Sequence, residues 1–386
     1  MRGHIVKRYK SSYTIYLNLG RDPVTGKRKQ LVVSVKGTKR QAEQKLADLI
    51  HGMDIGNYIK PNKVTLGEFL GRWMKDYVWR KLSPRVAEGY DTIVRCHLIP
   101  KLGSIYLTQL RTDHLQTYYS ETLAAGRVDK TGGLSAQTLV HHHTILHKAL
   151  EDAIEQGLLF RNVASLDSAK PPPAEHREML VWSEDELVTF IQAAKKTPYY
   201  ALFYVVLFTG MRRSEFMALR WSDIDLTTNQ LSVARTLHQL RDGTLIYRDT
   251  KTTKSRRTIA LTPSTVKLLE EYRKTQEAKR AALHMQPLKS DDLVFCKPDG
   301  SELRPNTISR AWVDLAVRAG VKRIRLHDAR HTHASIMLKQ GTPAKVVQER
   351  LGHANVGITL DTYSHVAPGM QEDAALRFDD IARGKL

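Results

Sequence analysis

The chain has 386 residues, 41% of them apolar, and carries 60 Lys and Arg against 40 Asp and Glu, a formal charge of +20. That length and apolar content suit two or three globular domains rather than a disordered chain, and the charge predicts a polyanionic partner, DNA or RNA first. No run of 18 apolar residues and no secretory leader is legible, which predicts a cytoplasmic protein without membrane spans, and Cys96 and Cys296 offer neither a disulfide framework nor a thiolate metal site.

Residues 1–58 read as a small α+β module. "YTIYLNL" and "QLVVSVKG" alternate with the period of half-buried strands, and "GRDPVTGKRKQ" between them reads as a turn. Thr38 and Gln41 have the spacing of a capping box, opening a helix that should turn Ala42, Leu46 and Leu49 toward the sheet. The module holds 12 basic and 4 acidic side chains, a net of +8. A nucleic-acid-binding role explains that density better than a stabilising one.

Residues 65–165 read as all helical. Thr65 and Glu68 form a second capping box, followed by Leu66, Phe69, Leu70, Trp73 and Tyr77 at helical spacing. Further helices are predicted in "SPRVAEGYDTIVRCHLIP", "TDHLQTYYSETLAAG" and "SAQTLVHHHTILHKALEDAIEQGL", giving a four-helix bundle. His141, His142, His143 and His147 on the last of these invite a metal site, but a solvent-facing or DNA-facing side of the helix is preferred.

The triple proline of "SAKPPPAEHRE" reads as a linker, and a further domain, 178–386, opens with Ser183 as N-cap and Glu186 three residues on. Leu187, Phe190, Ile191 and Ala194 give that helix an apolar face. From 231 to 261 the pattern turns β-like, with "QLSVARTL" and "RTIAL" around "RDGTLIY" and an Asp242-Gly243 turn. The fold class predicted is multidomain, mainly α with small β elements, the last domain mixed α/β.

Four clusters carry residues able to do chemistry. "FTGMRRSEFMALRWSDID" sets Arg212 and Arg213 at a helix start, with Glu215 three residues after Arg212. "DTKTTKSRRTIAL" concentrates Lys251, Lys254, Arg256 and Arg257 in or beside a hairpin, and "RLHDARHTHAS" offers His327, Arg330, His331 and His333. "LGHANVGITLDTYSHV" adds His353 and Tyr363. No P-loop, GxGxxG, GxSxG or carboxylate cluster for two metal ions accompanies them. Guanidinium, imidazole, ammonium and phenol remain, a set suited to metal-free phosphoryl transfer with a tyrosine nucleophile. Each residue also has an ordinary reading. Arg212 and Glu215 could be a surface ion pair worth about 0.3 kcal/mol. His327 and His331 are spaced for zinc, but Asp328 stands where a metalloprotease helix needs Glu. Tyr363 alone would be core filler.

The order and approximate separations of "TGMRRSE", "TKT…SRRTIAL", "HDARHTHAS" and "LGHANVGITLDTYSHV" resemble the tyrosine recombinases, or phage integrases, over about residues 180–370. The preceding segments resemble the arm-type DNA-binding domain (1–58) and helical, SAM-like core-binding domain (65–165) of integrases from phages and conjugative elements. The resemblance implies that Arg212 and Arg330 clamp the scissile phosphate and that Lys251 protonates the leaving 5′ oxygen. Lys254 is the alternative, because sequence leaves the hairpin register open. His327 and His353 would bind the phosphate and assist proton transfer, Tyr363 would attack to leave a 3′-phosphotyrosyl link, and Glu215 would orient its neighbours; His331 and His333, by their ordinary reading, support their helix. It further implies double-stranded attachment-site DNA as substrate, a homotetramer on DNA, a directionality factor and a host DNA-bending protein, with no cofactor, metal or membrane. The tail "PGMQEDAALRFDDIARGKL" reads as an amphipathic helix that would dock on a neighbouring protomer. Two alternatives stand beside this: a Xer-type chromosome-dimer resolvase, against which the extra basic module argues, and a non-catalytic DNA-binding regulator.

Overall fold

A computed structural model describes residues 3–21, 28–54, 63–175, 179–249 and 256–363, with residues 375, 376 and 379 near the end. The chain separates into two compact units, residues 1–175 and 176–386. Among the described residues no helix is long and apolar enough to cross a membrane.

The first unit begins with an antiparallel sheet of β1 (Gly3–Tyr9), β2 (Ser12–Arg21) and β3 (Arg28–Lys36), with β2 central. Ile15 pairs with Ile5 on one side and Val33 on the other. Tyr13, Ile15 and Leu17 face inward, and α1 (Lys39–Asp54) covers them with Ala42. The predicted box closes this helix: the Thr38 amide donates to Gln41 Oε1 at 2.7 Å and the Gln41 amide to Thr38 Oγ1 at 3.3 Å. Strand β1 has no counterpart in the sequence reading. "GHIVKRY" sets Ile5 beside Val6 instead of alternating, because an edge strand leaves most of its side chains in water.

Four helical stretches follow around their own apolar core. These are α2 (Leu66–Trp73), α3 (Pro84–Ile93), α4 (Thr112–Ala125) and α5 (Ala136–Glu155). Both α2 and α3 run on through a π-helical turn, Met74–Val78 and Val94–Leu98, an irregularity that sequence periodicity does not reveal. Thr65 and Glu68 close the second capping box. Leu66, Phe69, Leu70 and Trp73 are buried, and Trp73 Nε1 donates to the buried Asp152 at 2.6 Å.

The histidines of α5 correct the sequence reading. His141 is exposed, but His142 is buried, with Nδ1 2.6 Å from the Tyr118 hydroxyl and its ring 4.9 Å from that of His97. His143 and His147 are half-buried, bonded to the hydroxyls of Tyr119 and Ser165. The helix thus turns His142 into the bundle and leaves His143 and His147 part-exposed at its margin. Burial, with the charges of His97 and His141, lowers the His142 imidazole to about 4. Its folded value thus lies below the unfolded one, so the unfolded chain binds more protons between pH about 6.5 and 4, and stability is lost as pH falls through that window. His142→Gln is expected to flatten the pH dependence of urea unfolding there by about 2–3 kcal/mol, and an unchanged slope would show that His142 stays readily protonated in the fold.

In the second unit the Ser183–Glu186 box opens α6 (Glu184–Ala194). The fully apolar α7 (Tyr200–Thr209) runs through the core, followed by the one-turn α8 (Arg213–Phe216). β4 (Ile224–Asp225), β5 (Gln230–Val233) and β8 (Arg257–Ala260) form one sheet in the order β4-β5-β8. β6 (Arg235–Gln239) and β7 (Leu245–Asp249) form a hairpin across the predicted turn, where Gly243 has φ +89° and Asp242 Oδ1 accepts from the Thr244 amide at 2.8 Å. Then come α9 (Pro263–Ala282), α10 (Pro305–Arg318), α11 (Asp328–Lys339), α12 (Ala344–Leu351) and α13 (Val356–Tyr363). A second small core of Ala334, Leu338, Val347 and Leu351 joins α11 to α12, and α13 packs on both helices.

Candidate active site

The site is assembled at three chain reversals. At the end of α7, Gly210 adopts φ +65°, and a Cβ there would sit 2.6 Å from Leu351 and 2.8 Å from His333. Only glycine meets both the left-handed backbone and the close approach. The turn buries Met211 and makes Arg212 the N-cap of α8. Its carboxylate partner, Glu215, accepts from the Arg212 amide and from Nη1, each at 2.8 Å. Arg212 Nη2 reaches the Gly352 carbonyl at 3.2 Å, 140 residues away.

Glu215 is the centre of this arrangement. Arg257, on β8, donates to Glu215 Oε1 from Nη1 at 3.1 Å and to Oε2 from Nη2 at 2.8 Å, while its Nε donates to the Arg350 carbonyl at 2.7 Å. Burial by itself would push the Glu215 carboxyl up, but the hydrogen bonds and charge of Arg257, with the charge and amide of Arg212, outweigh it and hold the group at about 2. Glu215 is therefore an anion at neutral pH and keeps both guanidinium groups in fixed planes.

Helix α11 brings the next three residues. Asp328 accepts from the Arg325 amide at 2.8 Å and from its guanidinium, fixing the start of the helix beside His327. Arg330 is buried and donates from Nη1 to the Gly210 carbonyl at 2.9 Å. The His327 and His331 rings meet edge to face at 5.1 Å, and His333 is buried with Nδ1 2.9 Å from the Leu207 carbonyl.

The third reversal carries "LGH". Gly352 caps α12 with φ +69°, and the amide of His353 donates to the Gln348 carbonyl at 3.1 Å while Gln348 Nε2 donates to the His353 carbonyl at 2.7 Å. The His353 ring lies with Nδ1 2.8 Å from the hydroxyl of the fully buried Thr359 on α13. Tyr363 is the last residue of α13, four positions beyond Thr359 in the chain.

Burial and then the charges of Arg330, Arg212, His331 and Arg257 lower His353 to about 4. His331 is likewise held at about 4, by burial and then by His327, and His327 is lowered by burial and then by Arg330. These imidazoles are neutral at pH 7, and the surrounding guanidinium charge leaves a site attractive to an anion.

Of the sequence-predicted residues, Arg212, Glu215, His327, Arg330 and His353 come together. Lys251 and Lys254 lie outside the described residues, as do the Tyr363 side chain and nearly all of the tail after it. Sequence reasoning noted Arg257 without giving it a task and passed over Arg350, Gln348 and Thr359. The signal for Arg257 was its alternation with the buried Ile259 and Leu261, because a cation on the inward face of a strand requires a carboxylate.

Comparison with known proteins agrees with this arrangement. Residues 181–370 match the phage integrase family, and residues 65–123 match the phage integrase N-terminal SAM-like domain. The chain belongs to the phage integrase family. It is thus a tyrosine recombinase, an enzyme of DNA strand cleavage and joining. A relative named "Tyrosine recombinase XerC-like" from Caldanaerobacter subterraneus is 26% identical over 97% of this chain and 98% of its own. The ICEBs1 integrase of Bacillus subtilis is 26% identical over 98% of this chain and 99% of its own. Among solved structures, the Tn1549 transposon integrase in complex with a circular intermediate DNA superposes with a TM-score of 0.68 at 16% identity, covering 82% of this chain and 99% of that one. This phage integrase therefore shares its fold with an integrase that has been seen on DNA.

Proposed function

We propose that this integrase inserts and excises a phage or conjugative element by cutting one strand at a time at attachment sites, with Tyr363 as the nucleophile. The Tyr363 oxygen forms a bond to phosphorus, the bond from phosphorus to the 5′ oxygen breaks, and Lys251 or Lys254 delivers the proton that the departing oxygen takes up. Arg212 and Arg330 hold the non-bridging oxygens through the change. His327 and His353, neutral at rest, donate to the phosphate, and one of these imidazoles takes up the proton that the Tyr363 hydroxyl loses. The observation that carries the reading is the convergence of Arg212, Arg330 and His353 through Glu215, the Gly210 carbonyl and the Gly352 carbonyl. The test is a nicked suicide substrate from the DNA flanking the gene: a 3′-phosphotyrosyl adduct with a free 5′-hydroxyl is expected, and an adduct at a 5′ end would overturn it.

The chemistry joins two duplexes and exchanges two strand pairs, so four protomers, one per cleaved strand, suit it, acting with a directionality factor and a host DNA-bending protein in the cytoplasm. The ICEBs1 integrase is consistent with the mobile-element reading, and the basic amino-terminal module argues against chromosome-dimer resolution. By function the chain divides into an arm-binding module (1–58), a core-binding domain (65–165) and a catalytic domain (178–386). Deleting residues 1–58 is expected to flatten the slope of log K against log salt on arm-site DNA, since each phosphate neutralised contributes about −0.9. An unaltered slope would remove that module from DNA binding.

A further inference from the structure

Two arginines outside the proposed catalytic set connect its parts. Arg257 joins the Glu215 carboxylate to the Arg350 carbonyl, so that β8 grips the end of α12. Arg350 then spreads its own guanidinium over three elements: Nη2 donates to the Phe208 carbonyl at 2.9 Å, Nη1 to the Ala260 carbonyl at 3.0 Å and Nε to His333 Nε2 at 3.1 Å. Phe208 lies at the end of α7 just before the turn that presents Arg212, and Ala260 ends β8. His333 stands one turn beyond Arg330 on α11, and its Nδ1 is 2.9 Å from the Leu207 carbonyl. The two residues that follow Arg350 and Leu351 are Gly352, whose carbonyl holds Arg212, and His353. A Cβ on Gly352 would meet Arg257 at 3.0 Å, so the grip leaves no slack.

We propose that Arg257 and Arg350 are positioning residues, a pair of guanidinium clamps that set the register of α12 against α7, β8 and α11 and thereby hold Arg212, Arg330 and His353 in one constellation before DNA arrives. α7, β8 and α12 each give a backbone carbonyl to one of these two cations, and α11 gives the His333 ring, so all four are held by groups that carry no duty toward the phosphate. Arginine is needed here because its planar fork satisfies several acceptors in fixed directions, whereas a lysine ammonium is a point charge with none of that geometry. Preorganisation of this kind decides rate more than affinity, since a displacement of about 1 Å in a reacting group can cost on the order of 100-fold.

The proposal rests on the strand-cleavage reading above, and its test separates the two. Full-length wild type, Arg257→Lys, Arg350→Lys and the milder Gln348→Met, which removes the hydrogen bond to the His353 carbonyl and an exposed one from Lys345, are compared on the nicked suicide substrate. Each variant is checked for DNA affinity and thermal midpoint. The expected result is affinity within about twofold of wild type, thermal midpoints near wild type for Gln348→Met, and single-turnover cleavage slower by about 10- to 100-fold for both lysine variants. The Arg257→Lys and Arg350→Lys effects should combine to less than their product, because both act through the end of α12. Arg257→Met should also move the acid limb of the cleavage profile upward, since Arg257 is among the charges that hold His353 low. Cleavage by the lysine variants at the wild-type rate, or slowed only in proportion to lost affinity or folding, overturns the positioning role. Absence of an adduct with wild type overturns the strand-cleavage reading itself.

Discussion

Tyr363→Phe is expected to bind attachment-site DNA as tightly as wild type and to form no covalent adduct with it. The substitution removes one oxygen and nothing else, so binding through the guanidinium groups and the basic amino-terminal module is untouched. The oxygen is the only atom the proposed mechanism asks Tyr363 to supply. Loss of the nucleophile should lower strand cleavage by at least ~10⁴-fold, as removing a nucleophile from a concerted catalytic set does. The measurement is a nicked suicide substrate resolved on a denaturing gel, with a mobility-shift titration of the same preparations. A phenylalanine variant that still accumulates adduct would move the nucleophile to another residue. Loss of DNA binding would instead return Tyr363 to a structural role.

The second large effect is expected at Glu215. Glu215→Gln leaves Arg257 buried against a neutral amide, one of whose two positions is itself a donor, and frees Arg212 from its bond to Oε1. Breaking a buried ion pair from one side costs about 3–5 kcal/mol. The shift of the carboxyl from its ordinary 4.5 to about 2 gives a similar figure, about 3 kcal/mol. The pH signature identifies the source. A carboxylate held low stabilises the fold above pH 4.5, and that contribution is lost as pH falls toward about 2. This window overlaps only the lower end of the one in which the buried histidines act, from about 6.5 to about 4 for His142 and about 3 for His333. Denaturant unfolding of wild type and variant at pH 7 and at pH 3 should therefore show a large difference at pH 7 that narrows at pH 3. A variant within about 1 kcal/mol of wild type at pH 7 would mean that the guanidinium groups are held by other contacts. Strand cleavage should fall with stability, because the same carboxylate orients Arg212.

Much of this was legible without coordinates. The capping boxes at Thr38, Thr65 and Ser183 are closed by the residues three positions on, as their spacing foretells. The Asp242-Gly243 turn and the apolar faces of α2 and α6 are codes of a few residues, readable wherever they occur. The motif order gave the family. Less was legible where a side chain's fate depends on what packs against it. Four closely spaced histidines on α5 look polar in sequence, yet His142 is buried because Tyr118 on α4 offers its hydroxyl at 2.6 Å. β1 escaped notice because its apolar residues Ile5 and Val6 are adjacent and only half-buried.

Sequence alone determined several elements with their caps, and the residue types available for chemistry, since each depends on neighbours within about one turn or one hairpin. Only the tertiary structure decided which of many arginines belong together. Arg212 meets the Gly352 carbonyl across 140 positions, Arg330 meets that of Gly210 across 120, and Arg257 meets Glu215 across 42. No local pattern encodes such pairings. They arise because a buried guanidinium must find acceptors, and the packing of α7, β8, α11 and α12 leaves the Glu215 carboxylate and a few helix-end carbonyls within its reach.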